Sequence, residues 1–363
     1  MDRRSILKLK NSTLSLFCAF FMLLAAFPVA GFSQEKAADT PKKEVDTKDI
    51  IFEHIGDSHS WTMLGEHSLP LPIILYTDKG LEIFSSAKIK EHEVNGELVP
   101  QVYQGKAYSY ALEKDKVKVI DASGKVDEAA TKKVWDFSIT RNVASMWMSM
   151  IILIIVFASI SSAYKKREGK APKGLQSFLE PVILFVRDDV AIPNIGVKYV
   201  KYMPLLLTIF FFILINNLLG LIPIFPGGYN LPGNIAVTLS LSLIVLIVIN
   251  FSGNKYYWKH IFTPDIPLWL YPIMVPVEII GIISKPFALM IRLFANITAG
   301  HIIVLSLISL IYIFKSMWMA SVSVPFVVFM DCIELLVAFL QAFIFTMLTA
   351  LFIGMAVEEH HAH

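Results

Sequence analysis

The sequence predicts an all-α polytopic membrane protein. It has five transmembrane spans in the mature chain, the last two being long tilted helices, behind a small β-rich exported N-terminal segment. Three observations carry that prediction. Of 363 residues, 55% are hydrophobic and only 17% charged, where a soluble chain carries about 25% charged. Stretches free of Asp, Glu, Lys and Arg, long enough to cross a bilayer, recur after Arg141. Strand-like alternation is confined to the region before it. The net charge of +2 hides a partition: four Lys/Arg against one acid in residues 1–33, 14 against 19 in 34–140, and 14 against ten in 141–363. A soluble enzyme, a disordered chain and a nucleic-acid binder all fit this composition poorly.

Residues 1–33 read as a signal peptide. Arg3, Arg4, Lys8 and Lys10 precede a charge-free run from Asn11 to Ser33 with its apolar heart at 14–30, and small residues (Ala30, Gly31, Ser33) close it. Basic, then apolar, then small is the order of a secretory signal. Cleavage is expected after Ser33, with Gly31 at the −3 position; an uncleaved signal anchor is the alternative. Either way, residues 34–140 lie outside the cytoplasmic membrane. Cys18 leaves with the signal and Cys332 sits in an apolar helix, so no disulfide can staple the exported segment.

Within that segment, residues 34–48 are polar. PLPIILY (70–76) is a strand candidate, Asp78-Lys79-Gly80 a turn, and LEIFSS the returning strand. YSYAL (108–112) and VKVID (117–121) are further strands, with Ala122-Ser123-Gly124 as another turn. His54, His59, His67 and His92 match no metal-ligand spacing and read as scattered surface histidines. The segment's residues assign it no function.

The membrane domain occupies 141–363. Its first span lies between Arg141 and Lys165, and KKREGKAPK (165–173) follows. The positive-inside rule places that loop in the cytoplasm, independently of the signal. Residues 174–196 carry Glu180, Arg187, Asp188 and Asp189 among apolar residues, and suit an interfacial helix on the cytoplasmic side. From Tyr202 to Asn254 there is no Asp, Glu, Lys or Arg, and PGGYNLPGN (226–234) sits in the middle. This is a helical hairpin spanning about 203–224 and 234–252, with an uncharged outer turn. The remainder, 266–357, breaks near 315–319 into one long helix outward and one inward. The C-terminus (EEHHAH) is then cytoplasmic.

Six ionisable residues are set into those last helices: Glu278, Lys285, Arg292, His301, Asp331 and Glu334. A charge at the bilayer centre costs about 2.5–3.5 kcal/mol on insertion scales, so each needs a reason. At about 100° per residue, Glu278, Lys285 and Asn296 fall within about 40° of Arg292. Gly281, Ala288, Ala295 and Ala299 flank them, so one face carries an arginine in a shallow trough. A neighbouring helix can approach closely there. His301 points the opposite way, about 13.5 Å further along. On the last helix Glu334, Gln341, Asp331 and Thr349 form a polar stripe suited to face His301. Glu278 to His301 covers about 34 Å of helix, a little more than the hydrocarbon thickness, so tilt is expected. Pro286 should kink this helix or mark its start. Taken singly, Lys285 also suits snorkelling to the cytoplasmic interface, Asp331 a place near the outer surface, and Gln341 a plain interhelical hydrogen bond. Together, these residues are two sets of protonatable groups separated by a cation that keeps its proton at physiological pH. Protons can then enter and leave by different sides without running straight through.

NNLLGLIP (216–223) followed by GNIAVTLSLSL (233–243), SKPFALMIRLFANITAGH (284–301) and LQAFIFTMLTALFIGMAVEEH (340–360) resemble the subunit a family of F-type ATP synthases, the stationary half of a membrane rotary motor. The resemblance runs through most of 174–359. It implies a proton-conducting, non-catalytic stator in the F0 sector, located in the cell inner membrane. Its implied partners are a c-subunit ring, b-type peripheral stalk subunits and the F1 sector, with no nucleic acid. Arg292 would meet the ring carboxylate and keep two half-channels apart. Asn296, His301, Glu334 and Gln341 would line the outer half-channel, and Glu278 the cytoplasmic one. In some members the acid and the histidine exchange the positions of His301 and Glu334; here the histidine comes first. The exported segment departs from many members. No cofactor or metal is implied, and the chain has no G-x-x-x-x-G-K-[ST] loop for ATP. The competing reading is a secondary transporter whose Arg292 binds an anionic substrate, but the arginine-bearing segment has no second copy. An exported binding module on a passive anchor leaves six intramembrane ionisable residues unexplained.

Overall fold

The computed structural model describes residues 57–358, apart from 65–66, 90–91, 95–96, 100, 114–115, 122–123, 167–170, 223–226, 228, 230, 264–266 and 315. The expected signal, the polar stretch 34–48 and His54 therefore lie outside the described residues.

The N-terminal segment is built of short antiparallel strands. In order they are β1 (Ser60–Leu64), β2 (His67–Pro70), β3 (Pro72–Thr77), β4 (Gly80–Ser85), β5 (His92–Val94), β6 (Glu97–Val99), β7 (Tyr103–Gln104), β8 (Ser109–Glu113), β9 (Lys116–Ile120) and β10 (Trp135–Asp136). Two three-stranded sheets, ordered β10-β3-β4 and β7-β8-β9, carry its core. Alternation decides which side chains go inward: Ile73 and Leu75 on β3, Phe84 on β4, Tyr110 on β8 and Val119 on β9 are buried together with Ile89. Thr77 pairs with Gly80 at the predicted turn, where Gly80 has a φ of +122° that other residues rarely adopt. Buried Glu82 is satisfied by the backbone amides of Lys106 and Ala107 and by the Tyr110 hydroxyl. His59 is buried, with its Nε2 3.6 Å from Asp136 Oδ2. That gap exceeds ordinary hydrogen-bond reach. Burial pushes the Asp136 carboxyl up, but His59 and the Ser138 amide at 2.8 Å outweigh it and hold it below its ordinary value.

Among the described residues, five helices are long and apolar enough to cross a membrane. We label the helices α1 (Arg141–Lys166), α2 (Leu175–Phe185), α3 (Tyr199–Leu221), α4 (Ile235–Ser252), α5 (Lys255–Phe262), α6 (Tyr271–Phe314) and α7 (Met317–Val357). The chain is thus an all-α multi-pass membrane protein with a β-rich N-terminal segment. α6 and α7 hold 44 and 41 residues, or about 66 and 62 Å. Both far exceed a ~30 Å hydrocarbon core, so they must tilt, bend or project.

One expectation narrows and another changes. Of the two roles expected for Pro286, marking the start of its helix is ruled out, because it lies inside α6, which begins at Tyr271. Residues 174–196 are not simply a surface helix. After α2, a π-helical stretch at Val186–Ala191 and a short helix at Ile192–Ile195 bury Val186, Val190, Ala191 and Ile195 in the bundle core with α3 and α7. The charged residues misled the reading because Arg187 and Asp188 pair with each other on the exposed side, leaving an apolar face free to pack. Gly354 of α7 takes the Asn194 carbonyl against its backbone, where a Cβ could not fit. The same end of α7 is tied down by Lys198 Nζ and Asn254 Nδ2, which both donate to the Val357 carbonyl at 3.2 and 3.0 Å. The Asn254 backbone amide donates to the Ala356 carbonyl.

Candidate functional site

The polar groups converge where α3, α6 and α7 meet. Asn296 Nδ2 of α6 donates to Gln341 Oε1 of α7 at 3.0 Å. One to two turns further on, His301 Nδ1 stands 3.5 Å from Glu334 Oε2, both side chains being largely buried. The close approach depends on Gly300, because a Cβ there would lie 2.6 Å from Glu334 Oε1. These pairs bring four of the six expected site residues into two contacts across one helix interface.

Beside them is a small cavity lined by His301, Glu334 and Asn296 and, from α3, by Asn216, Asn217 and Gly220. Asn216 Oδ1, Asn217 Oδ1 and Glu334 Oε1 are buried without a hydrogen-bond partner among the described residues. Buried polar atoms in that state normally serve water or a transferring proton. The sequence reading missed Asn216 and Asn217. They sit in an otherwise apolar hairpin with no charge to draw notice, although two adjacent amides inside a membrane helix were a usable signal. Gly220, also missed, lets α3 come close: a Cβ there would meet the Tyr229 carbonyl at 3.0 Å and His301 Nε2 at 3.7 Å.

Arg292 and Glu278 stand apart from this cluster. Arg292 is exposed on α6 and makes no hydrogen bond or ion pair among the described residues. Ala288, Ala295 and Ala299 on the same face are exposed as well. Glu278 is half-buried. Burial and, less strongly, the Glu278 carboxylate raise the Tyr257 hydroxyl on α5 above its usual value. A second small cavity lies at this end between α4, α5, α6 and α7, lined by Tyr257, Lys285, Pro286 and Phe352. Lys285 Nζ stands 5.3 Å over the Phe352 ring. Counted along α6, Arg292 lies about 10 Å from Lys285 on one side and about 13.5 Å from His301 on the other. Its level along the helix thus falls between those of the two cavities, on a face that lines neither. Asp331 is half-buried one turn before Glu334.

Comparison with known proteins gives two family matches. Residues 143–354 match the ATP synthase A chain, and residues 50–137 match a domain of unknown function. The chain is 48% identical over 236 residues to ATP synthase subunit a 2 of Chlorobaculum tepidum, covering 63% of this chain and 66% of that one. It is 46% identical over 241 residues to ATP synthase subunit a of Chloroherpeton thalassium, covering 63% and 71%. With ATP synthase subunit a of Myxococcus xanthus it shares 43% over 235 residues, covering 63% and 76%. The matched region spans about two thirds of the length of these relatives. With residues 143–354 matched and five membrane-competent helices among the described residues, the chain belongs to the ATP synthase subunit a family.

Proposed function

We propose that the chain is the proton-conducting stator subunit in the F0 sector of a rotary ATP synthase, with no catalytic site of its own. The observation that carries this reading is Arg292: a guanidinium without a partner among the described residues, on a membrane-helix face left exposed, at a level between two separate cavities. A cation so placed costs free energy unless a neighbouring molecule answers it. A carboxylate is its chemical complement, and on a ring of c subunits that carboxylate would pass Arg292 once per step. The relatives' names support the assignment to an ATP synthase.

In this reading, a proton enters at the end of the bundle that carries the β segment and reaches His301 and Glu334 past Asn216 and Asn217. At 3.5 Å the imidazole and carboxylate exchange it after a small approach or through one water. The amides of Asn296 and Gln341 fix the interface between that pair and Arg292. Arg292 holds its own proton and passes none, so the proton must ride the ring carboxylate and leave on the Glu278 side. The signal-like N-terminus and the basic loop 165–173 support an inner-membrane location, with 34–140 outside and the C-terminus inside. The b-type stalk would hold this subunit still, and ATP chemistry would belong to the F1 sector. The test is Arg292→Ala in membranes holding the whole complex. ATP-driven proton pumping should be lost, and retained coupled pumping would overturn the reading.

A further inference from the structure

The β-rich segment and the cavity described above meet through one side chain. The segment is fastened to the start of α1: the Arg141 amide donates to the Ser58 carbonyl at 2.8 Å, and the Asn142 amide to Asp57 Oδ1 at 3.1 Å. On the other side of Ser58, the His59 carbonyl accepts from the Leu71 amide, and the buried His59 ring faces Asp136. β1, which begins directly after these anchors, delivers Trp61 to the membrane bundle. Trp61 is 5% exposed. Its ring stands edge-on to Tyr229, with centroids 5.9 Å apart. Leu231 completes this buried cluster, against Ala144 and Met148 of α1, Leu219 of α3 and Val237 of α4.

Tyr229 and Leu231 belong to the turn between α3 and α4, and that turn also reaches the cavity. Pro232 lines it, and the Tyr229 carbonyl closes on Gly220, whose other neighbour is His301 Nε2. We propose that the β segment is a strap that seats Tyr229, Leu231 and Pro232 as a lid over the His301–Glu334 cavity, with Trp61 as the positioning residue that holds the lid shut. This rests on the cavity being the outer proton path, and it gives the segment a task in that path: limiting how widely solvent enters. Trp61 touches neither His301 nor Glu334 in this scheme; it acts through Tyr229 and Leu231.

The test reads the lid without reading proton flow. In a chain whose two cysteines, Cys18 and Cys332, are replaced by serine, Val337→Cys places a thiol on the cavity wall. Its modification by a water-soluble methanethiosulfonate is timed in membranes holding the assembled complex. Trp61→Ala should speed the reaction about tenfold, the opening expected when a buried aromatic contact is lost. Trp61→Phe should restore the parent rate, and Tyr229→Ala should match Trp61→Ala without adding to it. An unchanged rate in Trp61→Ala, or in Trp61→Leu should the alanine variant not accumulate, overturns the proposal. Proton conduction by His301→Ala and Glu334→Ala is scored separately, so failure of the lid and failure of the proton-path reading are distinguishable.

Discussion

α6 and α7 are the two longest helices of the chain, both overwhelmingly apolar, and both carry ionisable groups. Yet none of the most apolar window of α6 is buried within the chain, while 44% of that of α7 is. The small residues show the difference most clearly. Ala342, Ala350 and Ala356 of α7 are fully buried against neighbours, whereas Ala288, Ala295 and Ala299 of α6 stand exposed beside Arg292. The same residue type serves close packing already completed in one helix and close packing still to be completed in the other. Apolar exposure continues along α6, with Ile280 at 64% and Phe287 at 56%. A helix so uncovered either faces lipid or a partner. An unpaired arginine in the middle of that face argues for a partner.

The comparison can be broken at its most exposed point first. Arg292→Ala should reduce ATP-driven pumping in membranes by roughly 100-fold or more, the scale on which one preorganised charge partner matters. Arg292→Lys should fail too, because a desolvated lysine can lose its proton where arginine does not. Pumping rates, with the amount of assembled complex as control, decide this. On the covered side, His301→Ala and Glu334→Ala should each slow passive proton conduction through the membrane sector by about 100-fold, as expected for loss of a proton-transfer group. Normal conduction in both would place the outer path elsewhere.

A subtler change sharpens the contrast at the interface itself. Gly300→Ala favours helix formation by about 1 kcal/mol, yet its methyl would displace the Glu334 carboxylate. Conduction should fall several-fold while thermal stability holds or rises, a split measurable on one preparation. Last comes a matched pair. Ala350→Leu should cost about 1–3 kcal/mol through overpacking and lower the melting temperature. Ala295→Leu should leave the melting temperature unchanged but weaken coupling to the partner. Equal thermal effects would show that the two helices are not differently covered.

Much of this was legible in the sequence because bilayers impose long rules. The charge-free runs marked α1 and the α3–α4 hairpin to within a few residues, since a single lysine at either end is expensive to bury. Strands β3 and β4 followed from apolar runs around a glycine turn, and β8 and β9 from short strand-like runs. The 174–196 stretch was harder: its charges looked like a surface signature, but Arg187 and Asp188 neutralise each other locally and free the buried face. His301 and Glu334 were legible as chemistry, whereas their 3.5 Å contact depends on Gly300 having no side chain. Asn216, Asn217 and Trp61 escaped notice for a different reason. Their meaning lies in what they meet across the fold, Ala338 in the case of Asn217 and Tyr229 in that of Trp61. No local pattern encodes such a meeting.

The fastening of the last residues of α7 has a mechanical meaning. The Val357 carbonyl is gripped from two directions, by Lys198 at the foot of α3 and by Asn254 at the start of α5, and Gly354 is wedged against Asn194. A helix pinned at its tip by separate elements resists twisting about its own axis and sliding along it. Any load delivered sideways to α6 by a moving neighbour passes to α7 and is shared with α3 and α5. The bundle then recoils as one body instead of yielding helix by helix, as an anvil does under a turning wheel.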